Sequence, residues 1–409
     1  MKLLKKLVLP TLLAGGMVLS AAATTVSAQD VTLELFSNKA ESVDTYNTLI
    51  AKFEEENPGI KIQLEAPPEA ETVLRTRLTR NDIPDILSIG GTATYGELAA
   101  AGVFKDFTDT GYLETIQPAY TEMIARLAGE DTTGNFGIPY ATNANGIVYN
   151  KTLFDEMGME IPTTWDEFIA LLDQAKEAGH TPILFTLQDA WTSLPTWNSL
   201  GGVLVENDFP VRKTNGETTF AAEYTEVTDK YLQLLEYAEG DVYGVGYDDG
   251  NAQFASGGVV FYPQGNWVIP ELLRNNPEIE LGYFAFPVSN EAADNALVSG
   301  VDVLLTVSET TEHPEEAMKF IEFMISEEIA QQYIEEQAAF SAIEGILQQD
   351  PVFENIQVKF ENGELTSFPD HFYPAGLGAE NIVQQFLIEK NADSFFQIID
   401  QEWDNVVSR

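Results

Sequence analysis

The 409-residue chain contains no cysteine and only three histidines, His180, His313 and His371, in well-separated segments. The first absence excludes disulfide scaffolds, cysteine-ligated zinc, iron–sulfur clusters and thiol nucleophiles. The second argues against a histidine-rich metal site. Basic residues are also scarce, 21 Lys and Arg against 65 Asp and Glu, for a formal charge of −44. A field of that sign repels a phosphate backbone, so nucleic acid is not an expected partner. Catalytic signatures are missing as well: there is no GxSxG elbow, no HExxH and no GxxxxGK[ST] phosphate loop. Gly244-Val245-Gly246 lacks the spacing of a dinucleotide turn. Asp248-Asp249-Gly250-Asn251 lacks the alternating oxygen ligands and closing glutamate of a calcium loop. Neither a cofactor nor a metal is expected.

What is present reads as a folded, exported chain. Hydrophobic residues make up 44% and charged residues 21%, a globular composition, and the length accommodates two or three domains. Residues 1–28 have the form of a secretory signal peptide: Lys2, Lys5 and Lys6, then an apolar stretch over 7–23, then the small residues Val26-Ser27-Ala28. Leu13-Ala14-Gly15-Gly16 resembles a lipoprotein cleavage box with glycine in place of the essential cysteine, so no lipid anchor through cysteine is expected. No later run reaches the roughly 18 apolar residues of a membrane span. The expected location is outside the cell membrane, secreted, periplasmic or surface-associated.

Hydrophobic periodicity after the leader alternates between strand and helix. Residues 31–36 alternate as a strand, Val43, Tyr46, Leu49, Ile50 and Phe53 recur at helical spacing, and Asn57-Pro58-Gly59 stops that helix. A strand over 60–64, a helix over 69–79 and a strand over 85–89 follow, the signature of a parallel sheet with crossover helices. The pattern restarts with a strand over 146–149, a helix capped by Thr164 and Glu167, and a strand over 183–186. A helix over 223–237, strands over 259–262 and 301–307, and a long helix opened by Pro314 complete it. Two such α/β units without a flexible linker predict two lobes with a ligand cleft between them.

Aromatic residues beside planar polar groups mark where a ligand would sit. Asp189-Ala190-Trp191 and Gln264-Gly265-Asn266-Trp267 stand at predicted strand ends, whereas Trp165 and Trp403 fall on amphipathic helices and read as core. A sugar ring has an apolar C–H face and a rim of hydroxyls, so it calls for an aromatic face next to amides and carboxylates. Carboxylate pairs such as Glu41 and Asp44 keep glycoside hydrolysis open as an alternative.

Six segments in register carry a family resemblance: FEEENPGIKI, VLRTRLTRNDIPDIL, IPYATNANGIVYNKTLFDEMGMEIPTTWDEF, FASGGVVFYPQGNWVIPEL, VSGVDVLLTVS and HPEEAMKFIEFMISEE. The chain resembles the extracellular solute-binding proteins of ATP-binding-cassette (ABC) sugar importers, the maltodextrin, multiple-sugar and raffinose group. The resemblance implies an α/β, two-lobe, periplasmic-binding-protein-like fold, with lobe one over 29–140 and 288–326 and lobe two over 141–287 and 327–409. It implies no chemistry: a monomer would trap an oligosaccharide by hinge closure and deliver it to separate permease subunits. Residue by residue it points to Asn38, Lys39 and Glu41 after the first strand, and to Asn143 and Asn145 at the crossover, where a hinge or turn role weighs equally. It further points to Asp189 and Trp191, to Trp267, to Asp302, and to Asp370, His371 and Tyr373 in a late loop; Gln264 and Asn266 join the candidates as the polar groups beside the Trp267 indole. A secreted glycoside hydrolase or lyase, or a binder of a non-sugar solute, remains the alternative.

Overall fold

The structure is a computed structural model that describes residues 31–67, 70–129 and 132–408, with only the main chain of Glu41 and Glu71. The leader expected at 1–28 lies outside the described residues. Among the described residues no helix is long and apolar enough to cross a membrane.

Among the described residues ten strands occur in chain order: β1 Val31–Ser37, β2 Ile60–Glu65, β3 Ile86–Ile89, β4 Ile138–Asn150, β5 Thr181–Ile183, β6 Val259–Gly265, β7 Leu281–Ala285, β8 Leu297–Val307, β9 Phe340–Ser341 and β10 Leu365–Thr366. The main path runs β2-β1-β3-β8-β4-β6-β5, with β7 and β9 on β4 and β10 on β8. The expected opening unit is present: β1 pairs in parallel with both β2 and β3, and the helix Val43–Glu56 buries Tyr46, Leu49, Ile50 and Phe53. The second unit also starts as expected. Thr164 Oγ1 accepts from the Glu167 N–H at 3.3 Å while Glu167 Oε2 accepts from the Thr164 N–H at 3.1 Å, a reciprocal cap; hydrogen bonds from the Thr163 N–H and hydroxyl first, and from Thr164 after them, hold the Glu167 carboxyl below its ordinary range.

Two strands are longer than their apolar runs predict, and these build the cleft. β4 is 13 residues long. Its first half pairs with β8 and its second half with β6 and β7, and its ladder with β8 shifts register between Pro139 and Thr142. β8 passes back the same way, pairing at Leu297 and Val298 with β10 and from Leu304 to Val307 with β3. A strand serving two sheets carries Thr, Asn and Gly at the crossover, which interrupts the hydrophobic pattern. β5 is shifted to Thr181–Ile183 from the expected 183–186; Pro182 is tolerated there because β5 is the edge of the path.

The cores follow the two halves. Leu33, Leu35, Leu87, Leu304, Phe320 and Ile334 belong to one cluster. Phe168, Trp197, Phe261, Trp403 and their neighbours form a second, extended at the β4–β6–β7 side by a third around Tyr262 and Leu272. Trp165 and Trp403, read as core, are buried. Core membership departs from the expected returning segment at 288–326. Val288 and Leu297 pack with the second half, whereas Ile329, Tyr333 and Ile334 of the helix Glu327–Glu336 pack with the first. The helix opened by Pro314 ends at Met324, and the apolar stripe continues on this second helix.

Candidate functional site

A cavity of about 540 Å³ lies between the halves, at the level where β4 and β8 cross. From the first half come Lys39, Ser42, Asp302, Tyr333, Glu336 and Gln337; from the second come Trp191, Tyr247, Asn266, Trp267, Glu271 and Arg274; Asn143 lies on β4 between them.

The first-half wall is polar and locked. β1 ends at Ser37, and the turn after it brings Lys39 Nζ to 2.6 Å from Asp302 Oδ1 on β8. Asn143 Nδ2 donates to the same oxygen at 2.9 Å, so the carboxylate keeps acceptor capacity facing the cavity. Glu336 is held by Thr45 Oγ1 at 2.6 Å and Gln332 Nε2 at 2.7 Å. Tyr333 packs its ring on Tyr46 and Tyr140 at 5.6 and 5.1 Å between centroids, and burial pushes its hydroxyl well above the ordinary tyrosine range.

The second-half wall is aromatic. Trp267 caps the helix Val268–Asn275. Its indole lies flat on Gly265: a Cβ at that glycine would stand 2.0 Å from an indole carbon. Its Nε1 donates to Gln264 Oε1 at 3.1 Å. One face is therefore supported and the edge satisfied, which leaves the other face for an apolar ligand surface. Trp191, 40% exposed, meets Tyr247 edge-on with centroids 4.8 Å apart. Asp189 Oδ2 accepts from the Tyr247 N–H at 2.7 Å, anchoring the first turn of the helix Tyr247–Ala255 beneath Trp191. Asp248 and Asp249 belong to that same first turn.

Six of the anticipated residues thus meet in one cavity: Lys39, Asn143, Trp191, Asn266, Trp267 and Asp302. The others stand elsewhere. Asn38 faces a separate 20 Å³ pocket beside Gly90 and Thr92. The side chain of Glu41 is outside the described residues. Asn145 is buried and donates to the Pro195 carbonyl at 2.9 Å, a packing role. Gln264 is buried as well, and its amide oxygen serves Trp267. Asp189 supports Tyr247 in the same indirect way.

Asp370 and His371 line a second cavity of about 280 Å³, closed on the other side by Thr92 and Thr94. This loop rests directly on β8, since a Cβ at Gly300 would come within 2.3 Å of Phe368 and 3.1 Å of His371. Burial is the chief influence on Asp370 and pushes its carboxyl above the ordinary range; Oδ1 has no hydrogen-bond partner among the described residues. Tyr373 lines the same second cavity; the residue is 3% exposed and its hydroxyl bonds Trp197 Nε1 at 3.2 Å and Tyr224 Oη at 3.0 Å.

Sequence reasoning missed Tyr247, Tyr333, Gln337, Glu271 and Arg274. Tyr247 carried a signal, an aromatic following Gly244-Val245-Gly246 at a helix start. Tyr333 occupies an apolar-stripe position and reads as core from spacing alone.

The model for bacterial extracellular solute-binding proteins matches residues 38–331. The chain belongs to that family. It is 30% identical over 330 residues to a multiple sugar-binding protein of Streptococcus mutans, covering 77% of this chain and 76% of the relative. The melibiose/raffinose/stachyose-binding protein MelE of Bacillus subtilis is 23% identical over 347 residues, 82% of this chain and 79% of the relative. Among solved structures, the apo form of RafE from Streptococcus pneumoniae superposes with a TM-score of 0.80 at 25% identity, covering 93% of this chain and 99% of that one. RafE in complex with raffinose gives 0.78 at the same identity, with 92% and 100% covered. The two-lobe α/β architecture expected from the sequence is the fold of these proteins.

Proposed function

We propose that the protein captures a short oligosaccharide between its lobes and delivers it, as a monomer outside the membrane, to the permease subunits of an ABC importer. The observation that carries this reading is the division of labour in the 540 Å³ cavity. Indole and phenol rings line one wall, and a carboxylate, amides and a lysine line the other, matching the apolar face and hydroxyl rim of a sugar. The sugar-binding relatives support it. RafE was solved with raffinose and a Bacillus licheniformis transporter protein of the same fold with stachyose, which favours α-galactosides of two to four rings.

The cleft is read as a binding site rather than a hydrolytic one. Asp302 is engaged by Lys39 and Asn143, Glu271 accepts from Arg274 at 2.5 Å, and Glu336 is held by Thr45 and Gln332. Each of these carboxylates is already engaged by at least one donor of the protein and keeps lone pairs that can accept from ligand hydroxyls.

The test is a thermal-shift screen of the protein against mono- and oligosaccharides, glycerol phosphate and peptides, with chromatography of each ligand afterwards. A saturating ligand raises the melting temperature by linkage. Stabilisation by raffinose or stachyose, recovered intact, is expected. Recovery of cleaved sugar would make the protein a hydrolase, and stabilisation only by a non-sugar would overturn the ligand class.

A further inference from the structure

Asn266 lines the sugar cavity with its side-chain amide already hydrogen-bonded at both ends. It is 2% exposed, and both ends of its amide are committed to main chain. Oδ1 accepts from the Ala144 N–H at 2.8 Å, and Nδ2 donates to the Ala338 carbonyl at 2.8 Å. Its own N–H donates to the Ala144 carbonyl at 3.2 Å.

These partners lie on different bodies. Ala144 stands where β4 crosses into the second half, paired with Ser299 where β8 crosses. Ala338 lies between the helix Glu327–Glu336 and β9, in the segment that packs with the first half. Its φ of 48° is left-handed, which a non-glycine residue adopts only when its surroundings hold it there. Residues on either side of it, Gln337 and Ala339, line the cavity. On the other side of Asn266 comes Trp267, the stacking platform, already fixed by Gly265 and Gln264.

We propose that Asn266 is the pivot of the cleft, a positioning residue that couples a ligand on Trp267 to the relative placement of the two lobes. A rigid platform on one neighbour, a tether to the β4 crossover at Ala144 and a second tether across the lobes to Ala338 tie any shift of Trp267 to the Ala144 crossover and the Ala338 turn. Asn266 thereby sets the register between the aromatic wall and the Lys39–Asp302 wall. The inference rests on the sugar-binding reading.

Asn266→Asp is the discriminating change. The carboxylate still accepts from Ala144, but its second oxygen faces the Ala338 carbonyl and repels it. Protonating the new carboxyl restores a donor there, so acid should rescue the variant. Wild type and variant are compared with raffinose as probe, by calorimetric titration between pH 5 and 7.5 and by small-angle X-ray scattering with and without saturating sugar. The variant is expected to bind at least about tenfold more weakly at pH 7.5. It should contract less than wild type at saturation and approach wild-type affinity as the pH falls. Equal affinity and equal contraction would overturn the pivot. So would weak binding with full contraction and no recovery in acid, which would make Asn266 a direct sugar contact. Should the variant fail to fold, amide exchange of Ala144 in the wild type decides: raffinose is expected to slow it, and an unchanged rate overturns the pivot. Wild-type protein that ignores raffinose and every other sugar overturns the sugar reading itself, a result distinct from any of these.

Discussion

Removing the Trp267 indole should cost the protein most of its ligand affinity while leaving the fold in place. The indole is supported on one face by Gly265 and presents the other to the cavity. A Trp side chain offers about 150 to 250 Å² in all, so one face covered by a sugar removes about 100 Å² from water. At about 25 cal/mol per Å² that is about 2.5 kcal/mol, reduced to about 1.5 to 2 kcal/mol because part of the facing sugar surface is polar. Trp267→Ala should therefore raise the raffinose Kd by about 10- to 30-fold in a calorimetric titration. Gly265→Ala sharpens the test. It leaves the indole in the chain but inserts a methyl 2.0 Å from one of its carbons, forcing the ring off its support, and should cost a comparable factor. Trp267→Phe keeps an aromatic face and loses the Gln264 hydrogen bond, so its loss should be smaller. Two folded variants, Trp267→Ala and Gly265→Ala, with wild-type affinity would refute the stacking argument and move the site away from Trp267.

Asp302→Asn removes the charge that Lys39 approaches at 2.6 Å; binding should weaken by about 1 to 2 kcal/mol with little change in the melting temperature of the free protein, because both side chains are partly solvated. Asp370 has a folded-state pKa above its unfolded value, so the native state binds the proton more tightly and stability falls as pH rises from the ordinary carboxylate range through the raised value. Asp370→Asn should accordingly raise the melting temperature of the free protein at pH 7, a gain that disappears below about pH 4. Tyr373→Phe deletes the hydroxyl shared by Trp197 and Tyr224 and should destabilise by about 1 to 2 kcal/mol in denaturant titration with unchanged raffinose affinity; a selective loss of affinity would place Tyr373 in the site.

The legible parts of the molecule were those whose physics is local. β1, β2 and β3 alternate along their own residues, and the Thr164–Glu167 cap is written within four positions. What escaped was set by distant partners. Thirteen residues of β4 include Asn143 and Asn145, polar positions that break a strand pattern, and they are held because β8 pairs with one half and β6 and β7 with the other. The site divided along the same line. Trp191 and Trp267 stood out as indoles beside polar residues, and Lys39 with Asp302 came from family resemblance. Tyr333, by contrast, is one more member of an apolar stripe until the fold turns it toward the cavity. Gln264, Asn266 and Asp189 were recognised as polar groups near an aromatic, but spacing cannot tell a side chain that touches ligand from one that holds the side chain that does.

Charge argues for the kind of ligand on grounds independent of the rings. The whole chain carries −44, yet the cavity is lined by two basic residues, Lys39 and Arg274, against three acidic ones, Asp302, Glu271 and Glu336. Both cations are already paired within it, Lys39 with Asp302 and Arg274 with Glu271. A phosphorylated solute would enter against the field of the protein and find its possible counter-ions taken, at a cost that grows as closure excludes water. A neutral, hydroxyl-rich ligand meets no such penalty, because carboxylates and amides can accept and donate hydrogen bonds to it without a further charge entering the cavity. Under the proposed function, charge and stacking thus favour the same class of ligand. Raising salt should leave the affinity for a neutral oligosaccharide nearly constant, whereas any binding of a sugar phosphate should strengthen as the field is screened.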